Sequence, residues 1–227
     1  MDKKPLSQSE YFRAAQTPVM WFLSARRLRS AAEIIISDQQ EQERPYFQAV
    51  DDAGVEAASL AQSAPEGSAS VEIFCEPPNY LPAQLLYAFA IENALKGLML
   101  AHNPQLTGAK KLSSRVKSHD LVALAKDAEF TVALQEVPVL EALSRIAEWA
   151  GRYPVAAALK DYEKTGNPHP ISLVPDALLD WGSQHPVMRR CFDRALRQLR
   201  DKLPAEPRGF GTVVVFSPIN VVRPPDP

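Results

Sequence analysis

Between residues 81 and 102 almost every helical position is apolar. Leu81, Leu85, Leu86, Phe89, Ile91, Leu95, Leu98 and Met99 cover most of the circumference of one helix. Such a helix has little surface to offer water, which predicts the central member of a helical bundle, ended by Asn103-Pro104. Three polar residues interrupt it: Glu92, Asn93 and Lys96. They are the first sign of chemistry in the chain.

The flanking segments have narrower apolar stripes. Thr17-Pro18 reads as an N-cap followed by a proline in the first helical turn. Trp21, Ala25, Leu28, Ala32 and Ile35 then follow at steps of four and three, with Arg26, Arg27 and Arg29 on the other side. Pro45 is expected to break or kink this helix, leaving a weaker helical segment from about Tyr46 to Ala61. Residues 71–75, VEIFC, read as a short strand. Ser118 reads as the N-cap of a short helix over about 119–128, with Asp120 in its first turn. A helix over about 137–151 places Leu140, Leu143, Ala147 and Ala150 on one face and stops near Gly151 and Pro154. After an irregular connection, 155–184, a last helix begins near His185-Pro186. It turns Met188, Phe192, Ala195, Leu196 and Leu199 inward, while Arg189, Arg190, Arg194, Arg197 and Arg200 form the most basic surface of the chain.

These elements predict an all-α fold, an antiparallel bundle of four to five core helices. A single domain spans 17–203, between a flexible N-terminus (1–16) and a Pro/Val-rich tail (204–227). In that tail TVVVFSPINVV is expected to form a short β ribbon or an arm, packed on its own bundle or swapped onto a second subunit.

Composition narrows the function classes. The 227 residues suit one domain, and 25 basic against 27 acidic residues give a net charge of −2. That excludes a globally basic surface for nucleic acid, so any RNA contact needs a local patch. No apolar run resembles a secretory signal or a membrane span, and the expectation is a soluble, cytoplasmic protein. Cys75 and Cys191 form neither a C-x-x-C pair nor a zinc-like cluster, so no disulfide framework, metal or cofactor is expected and both are read as buried. The phosphate loop G-x-x-x-x-G-K-[ST] of standard NTPases is absent.

Glu92 and Lys96 stand four apart in the favourable order for a helical ion pair. On so apolar a helix they must neutralise each other or meet partners on another helix. His119 and Asp120 stand at the start of one helix, and Trp149, Arg152 and Tyr153 at the end of another. Each cluster also has a purely structural reading: a self-satisfied pair, a helix cap, and an arginine at the negative end of a helix dipole.

Taken in order, Ile91-Glu92-Asn93-Ala94-Leu95-Lys96-Gly97-Leu98, Ser118-His119-Asp120-Leu121 and Gly151-Arg152-Tyr153-Pro154 resemble the HEPN (higher eukaryotes and prokaryotes nucleotide-binding) family, over about residues 80–203. The resemblance implies a helical bundle, homodimerisation, and a role in toxin–antitoxin, defence or stress systems, with a nucleotidyltransferase as a partner protein. It also implies a nucleotide or RNA ligand. In that reading Lys96, His119 and Arg152 hold the phosphates, and Glu92 orients Lys96 and Arg152. His119 and Asp120 order the helix beside the pocket, and Trp149 or Tyr153 stacks on a base. Ribonuclease members resemble one another in an arginine followed four to six residues later by a histidine. This chain lacks that pattern, since only three residues separate Arg115 from His119. The expectation therefore leans to binding. One rival is a metal-independent ribonuclease using His119 as base and Arg152 to steady the phosphate. The other is a non-catalytic protein-interaction module that docks through the arginine-rich last helix.

Overall fold

The computed structural model describes residues 7–63, 67, 69–108, 110–150 and 181–204, with backbone alone at 149–150 and 181–183. Among them are six α-helices and no strand: α1 (Gln8–Ala15), α2 (Pro18–Ser63), α3 (Leu81–His102), α4 (Leu121–Asp127), α5 (Val137–Arg145) and α6 (Trp181–Lys202). The all-α expectation holds over these residues. The tail expected to form a ribbon, and the 155–180 part of the connection, lie outside them.

α3 is the centre. Fourteen of its 22 residues are buried, Glu92 and Lys96 among them. α2 runs antiparallel to it. At one end Gln16, just before α2, exchanges two hydrogen bonds with the Gly108 backbone beyond α3 (2.9 and 3.0 Å). At the other, Gln39 accepts from the Asn79 N–H (2.5 Å) and Glu43 from the Tyr80 hydroxyl (2.5 Å). α6 runs parallel to α3: the Tyr87 ring meets the His185 and Phe192 rings edge-on, and Gly97 lies against Leu199. The bundle is thus not antiparallel throughout. A Cβ on Gly97 would come within 2.6 Å of Leu199 Cδ2 and 3.0 Å of Trp21 Cβ, so glycine is what lets three helices meet there.

Several expectations are corrected. α2 passes through Pro45 without a break, over 46 residues. Pro45 is exposed, so the Glu41 carbonyl that loses its N–H partner is left facing water. Thr17 does not cap α2; its hydroxyl donates back to Ala14 O (2.8 Å) at the end of α1. Helix α1 itself occupies part of the segment expected to be a flexible N-terminus. Its signal is a capping box, in which the Glu10 N–H reaches Ser7 Oγ and the Ser7 N–H reaches Glu10 Oε2 (2.7 Å). Residues 71–75 form no strand: β-propensity alone gives no ladder partner, and Phe74 and Cys75 are exposed. Cys191 alone is buried as expected. α6 begins at Trp181 and carries Pro186 within it, four residues earlier than expected. α5 continues as one π-helical turn, Ile146–Ala150.

Candidate functional site

The cap of α4 is Asp120, not Ser118: the Asp120 carboxylate accepts from the Ala123 N–H (2.9 Å), while Ser118 Oγ accepts from the Asp120 N–H (3.1 Å). The Leu121 N–H donates to Ser144 Oγ on α5 (2.9 Å), and that hydroxyl donates to Leu140 O (2.7 Å). Two orphan donors at the start of α4 are thereby satisfied, one of them by a neighbouring helix. This fixes the loop carrying His119 against α5.

There His119 meets the polar interruption of α3. Glu92 Oε1 lies 2.6 Å from Lys96 Nζ, and Glu92 Oε2 lies 2.8 Å from His119 Nδ1. Glu92 and Lys96 are only 6% and 4% exposed, whereas the His119 side chain is 39% exposed. One carboxylate therefore serves a cation one turn along its own helix and an imidazole from a loop. With Nδ1 engaged, His119 turns Nε2 away from Glu92, the arrangement by which a carboxylate orients an imidazole for binding or proton transfer.

Of the sequence-predicted residues, the structure brings Glu92, Lys96 and His119 together and places Asp120 beside them as an exposed helix cap. Trp149 lies in the π-helical turn after α5, with no description of its side chain. Arg152 and Tyr153 lie outside the described residues.

A second cluster escaped sequence reasoning. Glu33 of α2 accepts from the Tyr87 hydroxyl of α3 and from the Arg189 guanidinium of α6 (Nε at 3.2 Å), with Arg29 Nε at 3.4 Å and His185 Nε2 at 3.7 Å. Burial raises the Glu33 carboxyl, but hydrogen bonds from Arg189 and Tyr87 and the charges of Arg189 and Arg29 outweigh it, so the group lies below its ordinary value. Burial, then the bond to Glu33, pushes the Tyr87 hydroxyl up to about 12. Burial and the Arg189 charge hold His185 below the usual imidazole range. The partners stand 54 and 156 residues from Glu33, so no local spacing announces them.

A third acid, Glu136, is buried and takes both oxygens to Arg194 Nη1 (2.9 and 3.1 Å), while that guanidinium lies over the Phe130 ring at 4.9 Å. It ties α6 to the turn before α5. The nearby Cys191 thiol is pushed up to about 12 by burial and the Glu136 charge, which makes it an unreactive core residue.

Between α2 and α6 lies a depression of about 440 Å³ lined by Phe22, Arg26, Asp193, Leu196, Arg197 and Arg200. Three guanidinium groups and one carboxylate make it a basic patch on an acidic chain. No group of three or more metal-ligating side chains occurs among the described residues, and none of their helices is long and apolar enough to cross a membrane. The chain matches no family model, no curated protein and no solved structure.

Proposed function

We propose that this chain is a HEPN-like binding protein for a phosphate-bearing ligand, a nucleotide or RNA, acting in a toxin–antitoxin, defence or stress system. One observation carries the reading: two of the sequence pieces behind the resemblance, 27 residues apart at Glu92 and His119, share one carboxylate. The roles change from those expected of the sequence. Glu92 neutralises Lys96 and orients His119, so the imidazole is the group left to meet a phosphate. The arginine-lined depression supplies the local positive patch that a net charge of −2 demands of any RNA contact. A nucleotidyltransferase is the partner protein this reading expects.

The test is thermal unfolding with mono-, di- and trinucleotides and short RNAs in EDTA, with the RNA inspected afterwards. A ligand at a hundred times its dissociation constant adds about 2.7 kcal/mol, a shift of several degrees. The reading expects a shift without cleavage, lost in His119→Ala. No shift with any ligand leaves the interaction module. The Glu92–His119 hydrogen bond favours one second reading, a metal-independent ribonuclease with His119 as base. It expects cleavage that survives EDTA and disappears in His119→Ala.

A further inference from the structure

α2 is about twice as long as α3, and its last twenty residues extend past the start of its partner. Up to Glu43 the inner stripe of α2 is covered: Phe22, Ala25, Ala32 and Ile36 are buried, and Gln39 and Glu43 bond to the residues leading into α3. The stripe does not stop there. Tyr46, Val50, Ala53, Ala57 and Leu60 continue it at alternating steps of four and three, the spacing of a two-helix seam. No residue of α2 beyond Ile36 is buried: Tyr46, Val50, Ala53 and Ala57 are half-buried, and Leu60 on the stripe and Phe47 at its edge are 47% and 57% exposed.

Gly54 sits in the middle of this stretch. Glycine weakens a helix interior, and nothing among the described residues calls for it: an added Cβ would meet none of their atoms within 4 Å, and its φ is not positive. Gly97, by contrast, is explained by its contacts with Leu199 and Trp21. The stretch is also complementary to its own reverse. Turned antiparallel about a two-fold axis near residues 51 and 52, Tyr46 stands opposite Ala57, Val50 opposite Ala53 and Phe47 opposite Gly54, a large residue against a small one each time. A parallel pairing sets Tyr46 on Tyr46 and Leu60 on Leu60 and leaves gaps where Ala53 and Ala57 face their own copies. In the antiparallel pairing Asp51 and Asp52 fall on the outer side, in water, and Glu56 lies beside Ala49, so no like charges meet.

We infer that a second copy of this chain docks antiparallel on residues 46–60 of α2, with Phe47 of each copy over Gly54 of the other. The surface continues the α2–α3 seam and uses none of the residues that carry the family resemblance, so it stands independently of the ligand reading. An isologous interface of this kind closes on itself and stops at two copies.

Sedimentation velocity across the micromolar range tests it. The wild type is expected to be a dimer, and Gly54→Leu to weaken association by about tenfold or more while circular dichroism remains helical. A wild type that stays monomeric overturns the proposal, as does a dimer that Gly54→Leu leaves intact. A second experiment needs no loss of association. In a Cys75→Ser background, Phe47→Cys with Gly54→Cys is expected to form disulfide-linked dimers on mild oxidation, and each single variant is not. Equal cross-linking in the singles contradicts the register.

Discussion

Two glutamates in this bundle each hold several partners, and they do so in opposite ways. Glu92 is sealed in α3, with its cation one turn away on the same helix and one further partner from a loop. Glu33 is partly exposed and draws its partners from three helices, α2, α3 and α6. The first is a local pair that tertiary structure completes. The second exists only once the bundle has closed. A local charge pair is visible in a sequence and costly to break, whereas a dispersed one is invisible there and divides its strength among many contacts.

Removing one partner of the buried pair has the largest expected effect. Lys96→Ala leaves Glu92 buried without its cation and should destabilise by about 3–5 kcal/mol in urea unfolding. Replacing both, Glu92→Leu with Lys96→Met, should recover most of that loss, since apolar side chains of similar volume suit the site. If the double variant is as unstable as the single, His119 rather than Lys96 dominates the cluster.

Glu33→Ala comes next, at about 1–3 kcal/mol, because it leaves the buried Tyr87 hydroxyl unpaired. The same cluster sets the pH dependence. His185 and Glu33 both lie below their ordinary values of 6.5 and 4.5, so the unfolded chain binds protons more readily than the folded one. Their contributions are present in full above pH 6.5 and 4.5 respectively, and are lost as pH falls through the folded values. The urea midpoint should therefore fall on acidification, first below about 6.5 and further below about 4.5. Glu33→Gln should remove the lower step.

Arg189→Ala should cost least, below about 1 kcal/mol, because its guanidinium is half exposed and water replaces much of what it gives Glu33. A loss as large as that of Lys96→Ala would erase the distinction between the two glutamates.

The comparison also explains what the sequence made legible. α3 was read to its observed ends because an all-round apolar helix has no other use, and its polar interruption pointed to a partner. α4 and α5 were found with errors at their ends, since whether Ser118 or Asp120 caps the helix depends on the Ser144 hydroxyl of another element. The unbroken course of α2 was missed because Pro45 is read as a breaker, and its cost is small where the freed carbonyl faces water. The strand at 71–75 was inferred from propensity, which names no pairing partner. In the candidate site the Glu92–Lys96 pair was legible from its spacing, but the bond that joins Glu92 to His119, 27 residues on, was not. Of the Glu33 cluster only Arg29 stands at a helical spacing; Tyr87 and Arg189, 54 and 156 residues away, exceed any helical period and left no trace.

Gly97 carries a last consequence, for the way such a sequence can drift. Leu199 reaches it with the end of a flexible but fully buried side chain, and Trp21 reaches it with a Cβ fixed to the backbone of α2. Positions 97 and 199 are therefore free to change only as a pair, alanine at one accompanied by a smaller residue at the other, while α2 sets a ceiling that no rotamer can lift. An alignment of true descendants should show covariation between 97 and 199 and almost nothing larger than alanine at 97, a signature by which distant kin of this bundle can be recognised.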